Sequence, residues 1–378
     1  MREVYLDNCA TTRTDPDIAS AALEVMTTAY GNPSSLHSKG LEAQLLLERA
    51  REQLAAALGC QPGEVYFTRG GTESNNLALL GAFSAHRRRV SHLVAGSGEH
   101  ASVLAPLKHL GGQGASVTFL PLLPEGHPDP EAVSTCVDSG TLLVSCGLVN
   151  SEAGGLAPVR EIARAAKAKS ERVLIHCDAV QALGKIPLSV DKLGVDLLSV
   201  SGHKLHAPKG IGALYVRRGV RIHPLMYGGE QQRGLCPGTE SVPLAVAFGA
   251  AAESETREMS RNFENFDRLR KFFLEKAENF PGLCINSASK STPYIYNVSL
   301  PGYKSETMVH FLAGQGIYVS GGSACAKGKD SHVLSAMGLT QKRIQSALRV
   351  SLSKDTTEQD IEIFFQVLAQ AAAGIARS

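Results

Sequence analysis

The chain has 378 residues, 43% of them hydrophobic, with 38 Lys and Arg against 36 Asp and Glu and a formal net charge of +2. That apolar content supports a large core and predicts two domains. Near charge balance, with Arg87-Arg88-Arg89 as the longest basic run, leaves no patch for nucleic acid. No apolar run is long enough to span a bilayer, residues Met1 to Asp7 show no charged-then-apolar leader, and the eight cysteines form no CxxC pair. The expectation is a cytoplasmic protein with no membrane contact, no disulfide framework and no metal site.

Residues 1–14 are expected to rejoin or bridge to a C-terminal domain. Asp15-Pro16 opens a helix, since proline is harmless in a first turn, and a second helix fits Leu41 to Leu58. Glu64 to Thr68 predicts a strand, followed by Arg69-Gly-Gly-Thr-Glu-Ser-Asn-Asn76 and a helix to about Phe83. Further strands are expected at His92–Ala95, Val117–Leu120, Thr141–Ser145, Val173–Cys177, Asp196–Val200 and Gly212–Val216, with a helix over Val159–Lys167. These runs are short and uniformly apolar, the pattern of a mostly parallel sheet covered on both faces. A long helix starting within about Pro243–Ala247 and passing Lys271 marks the departure into a second domain. There, Tyr294–Ser299 and a short Tyr318–Ser320 read as strands, the latter pairing with Ser346–Leu352, and Thr307–Ala313 reads as a helix. The last helix opens at Thr356-Thr-Glu-Gln-Asp, where a threonine with Gln359 or Asp360 three residues on is a capping box. The expected division is 15–245 for a large domain, and 1–14 with 246–378 for a small one.

The chemistry centres on Lys204, which follows the apolar run Asp196 to Val200 and so falls at the C-terminal rim of a sheet, where α/β proteins bind ligands. Asp178 ends the run before it. An amine and a carboxylate at two strand ends suit a pyridine-aldehyde cofactor: the lysine holds the aldehyde as a Schiff base and the aspartate keeps the ring nitrogen protonated. Gly70-Gly71-Thr72 ahead of a helix can cradle an anion, with Ser201 and His203 as further donors, Gln181 beside Asp178, and His100 after another strand. Taken singly, the glycines are also a turn with a helix cap, and His100 also a loop histidine. Cys325 lies in Ser320-Gly-Gly-Ser-Ala-Cys-Ala-Lys-Gly-Lys-Asp-Ser-His332, an exposed loop by composition, where lysines favour a thiolate. An incidental surface thiol is the alternative reading of Cys325. Cys146 and Cys177 fall in strands and read as structural.

The chain closely resembles the cysteine desulfurase family, the NifS/IscS-like group within the class V aminotransferase fold. The resemblance is carried by Tyr5-Leu-Asp-Asn-Cys-Ala-Thr-Thr12, Tyr30-Gly-Asn-Pro-Ser-Ser-Leu-His37, Phe67 to Asn76, Glu99-His100, Asp178-Ala-Val-Gln181, Ser201-Gly-His-Lys204, Pro208 to Gly212, Gly228 to Gly234, Gly238-Thr-Glu240 and Gly322-Ser-Ala-Cys325. It implies an α/β chain of the PLP-dependent aminotransferase fold type I, with a mostly parallel mixed seven-stranded sheet and a smaller α+β domain carrying a catalytic cysteine loop at about 320–332. It implies pyridoxal 5'-phosphate as cofactor, on Lys204, with Asp178 at the ring nitrogen and Gln181 at the ring hydroxyl. His100 would lie over the ring, Gly71, Thr72, Ser201 and His203 would hold the phosphate, and Asn150 and Ser151 would lie beside the cofactor. Thr239 would reach the phosphate of the other subunit, so a homodimer is implied.

Arg349, with Asn8, would bind the carboxylate of L-cysteine; Lys204, His100 and Cys325 would be catalytic. The product sulfur would stay on Cys325 as a persulfide until passed to an acceptor such as an iron–sulfur scaffold or tRNA-thiolation enzyme. Several positions depart from the family pattern. Ser151 stands where a second asparagine is usual, Arg69 where serine is common, Cys236-Pro237 in place of Arg-Ser, and Cys9 in place of alanine or serine. The segment after Cys325 is also shorter than in the housekeeping branch. A selenocysteine lyase and a catalytically weak sulfur-carrier protein are the alternatives.

Overall fold

The computed structural model describes residues 2–86, 91–321 and 330–376. Arg87-Arg88-Arg89 and Cys325 lie outside the described residues. Seven strands make one sheet, in the order Val65–Thr68, Gly212–Val216, Leu197–Ser201, Leu174–Asp178, Thr141–Gly147, His92–Gly96 and Ser116–Leu120. Gly212–Val216 alone runs against the rest, pairing antiparallel with both neighbours while the other pairings are parallel.

Both faces are buried, which explains the uniformly apolar strands. Along His92–Gly96, Leu93 and Ala95 join a cluster with Leu77, Leu79, Val103 and Leu107 from the helices Gly71–His86 and Ala101–Gly112. Val94 joins the opposite cluster with Leu54 and Phe248, from the helices Ser38–Leu58 and Val242–Glu278. The same alternation divides Leu197 from Leu198 and Val200. It is the period-two geometry of a strand, with apolar residues at every position.

A second, antiparallel sheet has the order Ser320–Gly321, Ala347–Ser351, Ile295–Ser299, Cys284–Ile285. Helices Val242–Glu278 and Glu358–Gly374 pack on it through aromatic rings: Phe273 stacks on Tyr296 at 4.1 Å and meets Phe365 at 5.2 Å. The N-terminal residues join these elements, because Val4–Tyr5 pairs in parallel with Ile317–Tyr318 and Asp7 bridges to Ser351.

Some boundaries differ from expectation for local reasons. The helix after Gly70 runs on to His86, and the long helix begins at Val242, with Pro243 in its first turn. The expected Tyr318–Ser320 strand is two two-residue strands, Ile317–Tyr318 and Ser320–Gly321, because the chain changes partners at Val319. Of the two possible caps on the last helix, Thr357 is the one used: its hydroxyl accepts from the Asp360 N–H while the Asp360 carboxylate accepts from the Thr357 N–H. The helix Ala101–Gly112 had no sequence expectation; Pro106 within it obscures the pattern.

Candidate active site

The strands Leu174–Asp178 and Leu197–Ser201 are adjacent and parallel, so their C-terminal ends lie at the same rim. Asp178 closes one, and a single 3-10 turn, Gly202–Lys204, follows the other. Both residues open onto a cavity of about 420 Å³ that is also lined by Gly71, Thr72, His100, Asn150, Ser151, Gln181, Ser201, His203 and Arg349. Eleven of the fourteen residues expected at the site thus line this cavity, brought together from several distant stretches of chain.

The Lys204 ammonium donates to the carbonyls of Cys9, at short range, and of Ala10, at 2.8 Å. Burial nonetheless pushes its pKa down from 10.5 to about 8, with Lys185 and Arg349 adding like-charge repulsion. Asp178 is held on both oxygens: Oδ1 accepts from the Val180 N–H at 3.0 Å and Oδ2 from Asn75 Nδ2 at 2.7 Å. Gln181 Nε2 donates to the Cys9 carbonyl at 3.0 Å. His100 caps the helix Ala101–Gly112, its Nδ1 accepting from the Ser102 N–H at 3.1 Å. Burial lowers its pKa, countered by Asp178 and reinforced by Lys204 and His332.

At one end, Gly71 and Thr72 form the first turn of the helix Gly71–His86, whose leading N–H groups favour an anion. Gly70 has φ +152°, a conformation open to glycine, and a Cβ on Gly71 would come 2.8 Å from Val180 Cγ2. His203 Nδ1 lies 3.2 Å from Thr11 Oγ1, and burial with Lys204, Lys209 and Lys185 pushes its pKa down to about 4. At the other end, Arg349 is 3% exposed. Its Nη1 donates to the Ser151 carbonyl at 3.0 Å, and its Nη2 to Asp7 Oδ1 at 2.9 Å and Ser320 Oγ at 3.2 Å. Asn150 accepts at Oδ1 from the Glu152 and Ala153 N–H groups, fixing the turn that carries Ser151.

Two expected residues stand apart from the cavity. Asn8 is buried with its amide nitrogen on the carbonyls of Ser351 and Tyr5, at 2.9 and 3.3 Å. Thr239 is exposed, in the segment ahead of the helix Val242–Glu278. Cys325, expected in the catalytic loop, lies outside the described residues.

Sequence reasoning gave no role to Asn75, Ser102, Asp7, Glu99 or His332. Asn75 had a legible signal: it is three residues after Thr72, a helical spacing that places both on one face. Asp7 had none, since its partner Arg349 is 342 positions away. Glu99 is buried, and its pKa is pushed up to about 8 by that burial, although the Gly147 N–H donates to Oε2 at 2.9 Å.

The donor set fits pyridoxal 5'-phosphate. Among the described residues, four buried side-chain nitrogen or oxygen atoms lack a hydrogen-bond partner, and all four belong to residues of this cavity: Asn75 Oδ1, Gln181 Oε1, Ser201 Oγ and Arg349 Nε. Buried polar groups are normally satisfied, so orphans gathered in one cavity indicate a polar ligand.

The architecture and this cavity define a fold-type-I, pyridoxal-phosphate class of enzyme. The chain belongs to the class-V aminotransferase family, whose model matches residues 4–364. It is 38% identical over 372 residues to the cysteine desulfurase IscS of Methanosarcina thermophila, covering 98% of this chain and 92% of the other. It is 40% identical over 370 residues to the mitosomal cysteine desulfurase of Encephalitozoon cuniculi, covering 96% and 85%. A solved NifS-like protein superposes with a TM-score of 0.94 at 37% identity, over 99% of this chain and all of that one.

Proposed function

We propose that this chain is a pyridoxal-phosphate-dependent cysteine desulfurase that converts L-cysteine to L-alanine and leaves the sulfur on Cys325. The observation that carries the reading is the convergence of Lys204, Asp178, His100 and Arg349 on one cavity, in a chain that also bears Gly322-Ser-Ala-Cys325.

Lys204, Asp178, Gln181 and His100 would hold the cofactor, with Gly71, Thr72, Ser201 and His203 at its phosphate. When bound, it supplies an aldehyde that captures amines and a ring that takes up the electron pair left by a departing proton. Asp178, held on both oxygens, keeps a negative charge at the ring-nitrogen end. Arg349 offers a guanidinium edge to the substrate carboxylate through Nε, the nitrogen without a protein partner. Lys204, with its lowered pKa, has enough neutral amine near neutrality to accept the α-proton. The Cys325 thiolate attacks the substrate sulfur: a sulfur–sulfur bond forms, the carbon–sulfur bond breaks, and protons return to the three-carbon fragment to give alanine. The persulfide then passes its terminal sulfur to an acceptor, an iron–sulfur scaffold or a tRNA-thiolation enzyme in the cytoplasm.

The same reading includes the division into domains 15–245 and 1–14 with 246–378, and a homodimer. The dimer is supported by Leu23, Met26, Tyr30, Leu36, Leu41 and Leu45, large apolar side chains exposed along the first two helices and their connection. Light scattering giving a monomer mass at every concentration refutes the dimer. The activity is tested by mass spectrometry after brief exposure to L-cysteine. The expected result is a sulfur adduct on Cys325 with alanine released. Cys325→Ser should keep the bound cofactor and lose the adduct. Sulfide release by that variant at the wild-type rate overturns the assignment and favours a selenocysteine-lyase type of reaction.

A further inference from the structure

His100 Nδ1 has two contacts with one residue. The Ser102 N–H points at it from 3.1 Å, and Ser102 Oγ lies 2.7 Å away. Ser102 Oγ also lies 2.8 Å from Asn75 Nδ2, the nitrogen that sits 2.7 Å from Asp178 Oδ2. The direction of each bond in this chain follows from the inventory of donors. An ionised carboxylate only accepts, so the Asn75 group facing Asp178 is its NH2. That NH2 carries two protons, one for Asp178 and one for Ser102 Oγ. With its oxygen accepting from Asn75, the Ser102 hydroxyl turns its own proton to Nδ1, where the backbone N–H of the same residue already points. Nδ1 is therefore an acceptor twice over, and the neutral ring carries its proton on Nε2.

We infer that Asn75 and Ser102 are positioning residues that transmit the orientation of Asp178 to His100 and hold the imidazole as the Nε2–H tautomer, so that His100 acts in this cavity as a hydrogen-bond donor and not as a base. The inference deepens the proposed function and rests on it for the identity of the substrate. It assigns removal of the α-proton to Lys204 alone and makes His100 the group that presents an N–H to substrate or cofactor. A second consequence concerns protonation. The imidazolium form would put an N–H on Nδ1, facing two donors, so the chain opposes charging of the ring. Among the described residues, the charged and titratable groups facing His100 are Asp178, at the end of its strand, Lys204, in the turn after the next strand, and His332, at the start of the helix His332–Ala336. Of these Asp178 favours the charged form, whereas Lys204 and His332 act with Ser102 against it.

The test is nitrogen-15 NMR of the full-length protein labelled at histidine, with and without cofactor. The expected result for His100 is a pyridine-type Nδ1 and a pyrrole-type Nε2 in both states. Ser102→Ala should raise the pH at which His100 titrates by roughly one unit, the worth of one lost hydrogen bond, and Ser102→Thr, which keeps a hydroxyl, should restore it. A pyrrole-type Nδ1 in the wild type overturns the inference, as does an unchanged titration in Ser102→Ala. None of these readouts involves L-cysteine, so failure to release alanine counts against the desulfurase reading and leaves this one standing.

Discussion

Capture of the cofactor aldehyde requires a neutral lysine amine, and the environment of Lys204 makes a quantitative claim about it. The amine donates to the Cys9 and Ala10 carbonyls, which favours the ammonium form, but burial with Lys185 and Arg349 nearby outweighs that and brings the pKa to about 8. At pH 7 about one amine in ten is then neutral, against about three in ten thousand for a lysine at 10.5. The ratio is about 300-fold, and it should appear directly in the rate at which stripped protein takes up pyridoxal phosphate. The assay follows the growth of near-visible absorbance after mixing, from pH 6 to pH 10. The rate is expected to rise about tenfold per pH unit at the acidic end and to level off above about pH 8. Lys204→Ala should show no such capture. A rate still climbing tenfold per unit at pH 9.5 would show an unperturbed lysine and refute the electrostatic reasoning, without bearing on which substrate follows.

Two further outcomes follow from the same cavity. Glu99 has its folded pKa raised from 4.5 to about 8, so between those values the unfolded chain ionises while the folded protein keeps its proton. The stripped protein should therefore lose stability as pH rises through that window. Glu99→Gln keeps an acceptor for the Gly147 N–H and removes the titration. Its melting temperature should gain on the wild type between pH 5 and pH 8, and a constant difference contradicts the burial argument. Arg349→Lys retains charge but loses the fork that reaches Ser151, Asp7 and Ser320. Steady-state kinetics should show KM for L-cysteine rising roughly ten- to a hundredfold, the worth of a charge-assisted hydrogen bond. An unchanged KM removes Arg349 from the substrate site.

The amino-acid sequence by itself determined the local elements and the resemblance. Strands ending in Asp178 and Ser201 were legible because both sheet faces are buried and each run is apolar throughout. Lys204 was legible because a lysine directly after such a run lies at a sheet rim. Caps and turns were legible where one residue type does the work, as with Asp15-Pro16 and the threonine before the last helix. The tertiary structure decided what depends on distance through space. It set Asp7 against Arg349 and turned the carbonyls of Cys9 and Ala10 toward Lys204. It also split the expected Tyr318–Ser320 strand between two partners. It closed the path from Asp178 through Asn75 and Ser102 to His100 as well. No single-chain pattern encodes these contacts, because a hydrogen bond needs a donor and an acceptor brought within about 3 Å. Here the residues are supplied by segments whose separation in sequence carries no information about their separation in the fold.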